Sequence, residues 1–253
     1  MKNILILFIM INLALFGEVK VDYSSPKGKN NKEIKKWLVD ENIIENLAET
    51  VNREIKIEEE LSILIKNGES AYYDPENYQI IITYDFIREV RKRFKDEYKD
   101  DWELYAQDAI EHTFYHELGH ALIDILDLPV LGKEEDAVDD FGVLMLLFTT
   151  ENGEERVLSA AELFFLEGED IEEFFPEDFM DEHSLDDQRG YRSLTLIYGS
   201  NPIEYGYIAK ELEFDEEQKE FAKEIFEKQK KSWLTVLKPY LKDGVLLDIY
   251  SKY

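Results

Sequence analysis

His116-Glu117-Leu118-Gly119-His120 lies inside a long helix-compatible stretch, residues 102–126, and its spacing decides how the rest of the chain is read. On a helix, residues four apart project from one face, so two imidazoles meet one cation while Glu117 stands beside them. Neutral imidazole suits a borderline-soft ion such as zinc, and a catalytic zinc takes three protein ligands with a fourth position left for water. A third ligand therefore has to come from elsewhere. The helix does not supply it, because Asp124 lies about 12 Å along the axis from His116, and His112 fails against His120 in the same way. His112 is read as a packed histidine.

Working outward, Leu128-Pro129 ends the helix, since proline disfavours helix in the residue before it. A turn at Gly132 follows, and a new helix opens with Glu134-Glu135-Asp136-Ala137-Val138-Asp139. The metzincin pattern would need Gly where Ile123 stands and His where Leu126 stands, so that route is closed. The arrangement is that of a glutamate zincin. Glu135 is the expected third ligand, with Glu134 the alternative if the register is off by one. Asp139, one turn later on the same face, is placed to accept a hydrogen bond from the free ring nitrogen of a ligand histidine. The other acids here fit an acid-rich first turn that complements the helix dipole.

The remaining pattern is mostly helical. Apolar spacing predicts helices over residues 33–51, 85–98, 134–148, 154–166, 184–198 and 216–237. Ile55 and Ile57 suggest a strand, as do residues 78–84 after the Asp74-Pro75-Glu76-Asn77 turn. The expected class is α+β and zincin-like, with a small N-terminal β-sheet followed by a helical majority that carries the His-Glu motif. With 253 residues and 44% hydrophobic content, one domain over residues 33–253 is the default.

Residues 1–17 read as a signal peptide: Lys2, an apolar run from Ile4 to Phe16, then a small residue before Glu18. The run is short for a membrane span, so an uncleaved N-terminal anchor is the alternative. Residues 18–32 read as a flexible linker. Export to a periplasm or to the medium follows. No cysteine is present, so neither disulfides nor thiolate zinc ligands exist. The formal charge of -28 opposes binding to nucleic acid or anionic lipid. Acidic runs such as residues 167–173 and 215–217 read as solvated faces.

Several segments together resemble a family of bacterial metallopeptidases catalogued as a domain of unknown function, a gluzincin-like group. They are Ala71-Tyr72-Tyr73-Asp74-Pro75, Thr83-Tyr84-Asp85, residues 116–121, Leu126-Asp127-Leu128-Pro129-Val130-Leu131-Gly132, Glu134-Glu135-Asp136-Ala137 and His183-Ser184-Leu185-Asp186-Asp187-Gln188-Arg189. Tyr198-Gly199 and Trp233 also fit. The likeness spans most of the chain after Glu33. It implies a zincin-like fold, zinc as the metal, Glu117 as the catalytic carboxylate and Glu135 as third ligand. It implies no substrate. Val138 and Asp140-Phe141 depart from the family pattern, and so does the lack of cysteine.

In the chemistry expected of such a site, zinc lowers the pKa of a water toward about 7 and polarises a scissile carbonyl, while Glu117 shuttles the proton to the leaving amine. His183, in a loop just before a helix, is the candidate donor that braces the oxyanion, with Tyr191 as runner-up. Arg189 either orients a substrate carboxylate or pairs with one of the many acids. The strand over residues 78–84 is a candidate to pair with an extended peptide. The expected function is a zinc-dependent peptidase acting on peptides or proteins. The rival is a zinc-containing binding or assembly protein of the cell envelope, against which the general base Glu117 argues.

Overall fold

The computed structural model describes residues 17–171 and 173–252; the expected signal segment falls, but for Gly17, outside them. The chain runs β1 (Lys20–Tyr23), α1 (Gly28–Asp40), α2 (Ile43–Glu54), β2 (Ser62–Lys66), β3 (Tyr72–Asp74), β4 (Gln79–Thr83), α3 (Tyr84–Glu97) and α4 (Trp102–Ile125). It continues as α5 (Glu134–Thr149), α6 (Gly153–Gly168), α7 (Asp186–Ser200), α8 (Gly206–Glu211), α9 (Glu216–Leu237) and α10 (Val245–Tyr250). The α+β expectation holds: a small sheet near the N-terminus, then helices.

The sheet order is β1-β2-β4-β3, with β1, β2 and β4 parallel and β3 antiparallel at the edge. In β2 the period of two buries Ile63 and Ile65, whereas β4 buries Ile80, Ile81 and Ile82 in succession, as a strand covered on both faces must. Thr83 ends β4 and caps α3, its hydroxyl accepting from the Phe86 backbone N–H at 3.3 Å.

Four sequence expectations need correction. Residues 18–32 are not a linker: Val19 is buried, β1 pairs in register with β2, and α1 starts at Gly28, so the folded unit begins before residue 33. A strand this short carries no readable period; its order comes from pairing with a segment distant in sequence. The helix over residues 33–51 is two helices, broken at Asn42 in the left-handed region, φ 53°. Leu38, Ile43 and Ile44 bury into one core across the break, which is why the pattern reads as continuous. Ile55 and Ile57 are buried without forming a strand; Ile55 makes only an isolated bridge to Leu241. Finally, β4 cannot receive a peptide, because β2 and β3 occupy both its edges, and β3 is the edge strand on that side.

Helix α4 is buried on nearly every side, with Phe114, Tyr115, Leu118, Ala121 and Leu122 inaccessible to solvent. Its closest partner is α5. A Cβ added to Gly119 would stand 2.8 Å from Val138 Cγ1, and one added to Gly142 would stand 2.9 Å from His112 Nε2. One glycine on each helix therefore lets the two backbones approach. Trp233 on α9 holds the far side of α5, its indole N–H donating to the Ala137 carbonyl at 3.0 Å and its ring lying 4.5 Å from that of Phe141. Among the described residues no helix is long and apolar enough to cross a membrane.

The glycine contact is testable. Gly119→Ala gains about 0.8–1.0 kcal/mol of helix propensity and incurs about 1–3 kcal/mol of overpacking, so a net loss of up to about 2 kcal/mol is expected. Thermal unfolding should fall by about 2–4 °C for each kcal/mol lost; a raised midpoint would show that α4 and α5 are not in close contact.

Candidate metal centre

From α4, His116 and His120 project toward the first turn of α5, with their Nε2 atoms 3.3 Å apart. Loop residues 126–133, with Asp127 at φ 49°, turn the chain so that Glu134 and Glu135 open α5 against them. Acidic residues are favoured there by the helix dipole. Glu135 Oε1 lies 3.3 Å from His120 Nε2, and Glu135 Oε2 lies 3.3 Å from His116 Nε2. His183, from the segment before α7, brings its Nε2 to 2.9 Å from Glu135 Oε2.

Each ring is aimed by a carboxylate on its other nitrogen. His116 Nδ1 meets Asp139 Oδ1 at 2.7 Å, and His120 Nδ1 meets Glu134 Oε1 at 2.7 Å. His183 Nδ1 lies 3.4 Å from Asp181 Oδ1, which also accepts the His183 backbone N–H at 2.9 Å. Asp139 is fixed in turn by Arg189, which donates from Nε at 2.7 Å and from Nη2 at 2.9 Å and stacks on the Phe164 ring at 4.2 Å. Of the two readings of Arg189, the ion pair is the one seen. Lys133 donates to the backbone carbonyls of Asp181 and His183, tying the His183 segment to the start of α5.

The donor set suits a divalent cation. Two donors each about 2.0–2.1 Å from one tetrahedral zinc lie about 3.3 Å apart, the separation found between His116, His120 and Glu135. Glu135 Oε2 is also a buried oxygen without a hydrogen-bond partner of good geometry. One set of donor atoms, from His116, Glu135 and His183, lies within 4.8 Å of one another. His120 is tied to the first two by shorter contacts than that limit, so four residues converge where three were expected. His183 is thus brought next to Glu135, closer than a residue reserved for substrate would need to be.

Glu117 is 7% exposed and adjoins both ligand histidines; burial raises its pKa, while His116 and His120 pull it down. The Tyr73 backbone N–H, on edge strand β3, also bonds to it, and the Tyr73 hydroxyl donates to Asp124 at 2.8 Å, holding β3 against α4. Asp124 is thus engaged away from the cluster. His112 is buried, lies edge-on to Phe164 and has its pKa lowered to about 4 by burial, so it packs as a neutral ring. Tyr191 is 52% exposed and stacks edge-on against Phe165, apart from the cluster. Ser184 donates to Asp136 and does not cap α7. The pairing of Glu134 with His120 was not foreseen, because adjacent glutamates in sequence give no sign of which one faces the ion.

A cavity of about 740 Å³ opens between loop residues 128–133 and α9 and contains none of the histidines. A smaller one, about 230 Å³, adjoins His116, Glu117 and His183. Size does not mark the reactive place here; the converging nitrogens do.

Burial disfavours charge on His116, yet Asp139 and Glu135 outweigh it and raise its pKa to about 9. Burial likewise opposes charge on Glu135 and Asp139, and their histidine and arginine partners hold both well below the carboxylate range. A raised histidine contributes stability below its unfolded pKa of about 6.5 and loses it as pH rises through the folded value. Depressed carboxylates contribute above about pH 4 and lose it toward acid. Chelator-treated protein should therefore unfold at progressively lower temperature from pH 6.5 to beyond about 9; a flat or rising midpoint over that range would contradict the His116–Asp139 pairing.

Residues 23–237 match the family model described as "Putative metallopeptidase", and the chain belongs to that family, whose description implies a metal cofactor. No curated protein and no solved structure matches the chain.

Proposed function

We propose that this member of the metallopeptidase family is an exported, zinc-dependent peptidase in which His116, His120 and Glu135 hold the ion and Glu117 moves the proton. The observation that carries the reading is the convergence of His116 Nε2, His120 Nε2 and the two oxygens of Glu135, each residue pair in contact at 3.3 Å, with the buried carboxylate of Glu117 beside them. When bound, zinc would supply Lewis acidity, lowering the pKa of a water and polarising the carbonyl of the scissile bond.

The chain's own groups do the rest. Asp139 and Glu134 hold the two rings by Nδ1, leaving their Nε2 atoms turned toward Glu135. Glu117 accepts a proton from the attacking water and delivers it to the departing amine, so that water and amide become acid and amine. Burial raises its proton affinity above that of a free carboxylate, the direction a general base needs. His183, 40% exposed in its side chain and facing the same cavity as Glu117, donates to the developing oxyanion.

One observation favours a second reading. His183 Nε2 at 2.9 Å from Glu135 would close a fourth position with protein, as in a structural site of an envelope binding or assembly protein. His183→Ala separates the two: the peptidase reading expects zinc retained and kcat lowered about 10²–10³-fold, and the structural reading expects zinc lost.

The decisive experiment is metal content by mass spectrometry on wild type and Glu135→Ala, with cleavage of a mixed peptide library by wild type and Glu117→Gln. One zinc per chain, weakened by Glu135→Ala, with turnover cut at least about 10²–10⁴-fold by Glu117→Gln, is the expected result. Absence of zinc from the wild type would end the proposal. Export rests on Lys2 and the apolar run to Phe16. N-terminal sequencing of protein recovered outside the cytoplasm is expected to start near Glu18; a retained Met1 would point to the anchor instead.

A further inference from the structure

The cavity of about 230 Å³ beside Glu117 is smaller than the roughly 300–1,000 Å³ clefts that take a whole small-molecule ligand, and suits one side chain. Two helix faces wall it. On α4 the lining positions are Ala109, His112, Thr113, His116 and Glu117; on α6 they are Ala160, Leu163, Phe164 and Glu167. Both sets follow the three-and-four spacing of a single helical stripe. Along α6 the stripe is apolar until Glu167, about 10 Å from Ala160 at 1.5 Å per residue.

Glu167 differs from the carboxylates that pair with the histidines of the centre. Glu134, Glu135, Asp139 and Asp181 each face a histidine within 3.4 Å. Among the described residues the Glu167 carboxylate has neither a hydrogen bond nor an ion pair; its backbone carbonyl accepts from the Asp170 N–H at 3.1 Å. The cations near it are committed elsewhere: Arg189 to Asp139, and Arg93 to Asp170 at 2.6 Å and to the Leu166 carbonyl at 2.9 Å. Burial and then the Asp186 charge raise its pKa to about 7, the mark of a carboxyl short of a partner. Glu69, also lining the cavity, adds negative charge, and Glu117 adds more. The acidic run to which Glu167 belongs reads in sequence as a solvated face, and at this position that reading is wrong.

We propose that this cavity receives a lysine or arginine side chain of the substrate, its methylenes against Phe86, Leu163 and Phe164 and its cationic end on Glu167. Apolar walls with a carboxylate on the same helical stripe match a long aliphatic stem that ends in a charge. This rests on the peptidase reading and adds a substrate class to it: peptides with a basic residue at one fixed place beside the scissile bond.

The test has two arms on the zinc-loaded protein. In the first, library cleavage is expected to show Lys or Arg at a single subsite. Glu167→Gln should lower the preference for lysine over norleucine at that subsite by about 10- to 100-fold, and Glu167→Lys should turn it toward acidic residues. In the second, Glu117→Gln protein, which does not turn over, is titrated with hexapeptides that differ only in lysine against norleucine. Tighter binding of the lysine peptide, abolished by adding Glu167→Gln, supports the proposal even if no peptide is cut. Equal affinities, or no binding of either peptide, overturn it, as does cleavage with no basic preference; in that last case the peptidase reading stands. Glu167→Gln should also raise the unfolding midpoint at pH 8 by about 2 °C or more, since it removes a buried charge without a partner. A lowered midpoint would mean that Glu167 is a structural anchor, contrary to the proposal.

Discussion

The interval between α4 and α5 governs the rest of the molecule. Gly119 and Gly142, one on each helix, remove the side chains that would hold the two backbones apart. That approach brings the first turn of α5 under the histidine face of α4, and from it Glu135 reaches both Nε2 atoms while Glu134 and Asp139 reach the Nδ1 atoms behind them. A wider gap would still leave two histidines on a helix and acids on another, but they would not share one point in space. The candidate metal centre is in this sense a product of packing, with the choice of residue types coming second.

Around that point charge is arranged in layers. The imidazoles are backed by carboxylates, and the innermost of these, Asp139, is backed by the bidentate guanidinium of Arg189, which rests on Phe164. The next position repeats the device: Asp140 accepts two hydrogen bonds from Arg192, at 2.5 and 2.6 Å. Two consecutive acids on α5 thus clamp two arginines one turn apart on α7. Buried ions are tolerated only when their partners are in place, so the clamps fix the rotation of α7 relative to α5. His183, just ahead of α7, is carried to the centre by that fixed rotation.

Much of this was legible in the sequence, and what was missed has physical reasons. The convergence of His116 and His120 could be read because four-residue spacing has only one geometric meaning on a helix, and the place of Glu135 beside them because a proline and a glycine limit where the next helix begins. The long amphipathic helices announced themselves by their period. What escaped depends on partners remote in the chain: β1 is ordered by β2, Glu167 shares a cavity with residues of α4, and the break at Asn42 is hidden because the apolar stripe resumes in phase. His183 could be singled out by its place before a helix, but nothing local tells how near it comes to Glu135. Sequence conveys the direction of a side chain well and the distance between elements poorly.

His183 touches the ligand cluster and also lines the cavity that leads to Glu167, while Lys133 ties its segment to the start of α5. One side chain thus belongs to two sites at once. Whatever enters the cavity and shifts His183 changes the energy of an ion at the centre, and by thermodynamic linkage the ion changes the affinity of that occupant by the same factor. If the centre holds an ion and the cavity takes substrate as proposed, loading and recognition are coupled equilibria, with a single imidazole as the element they share.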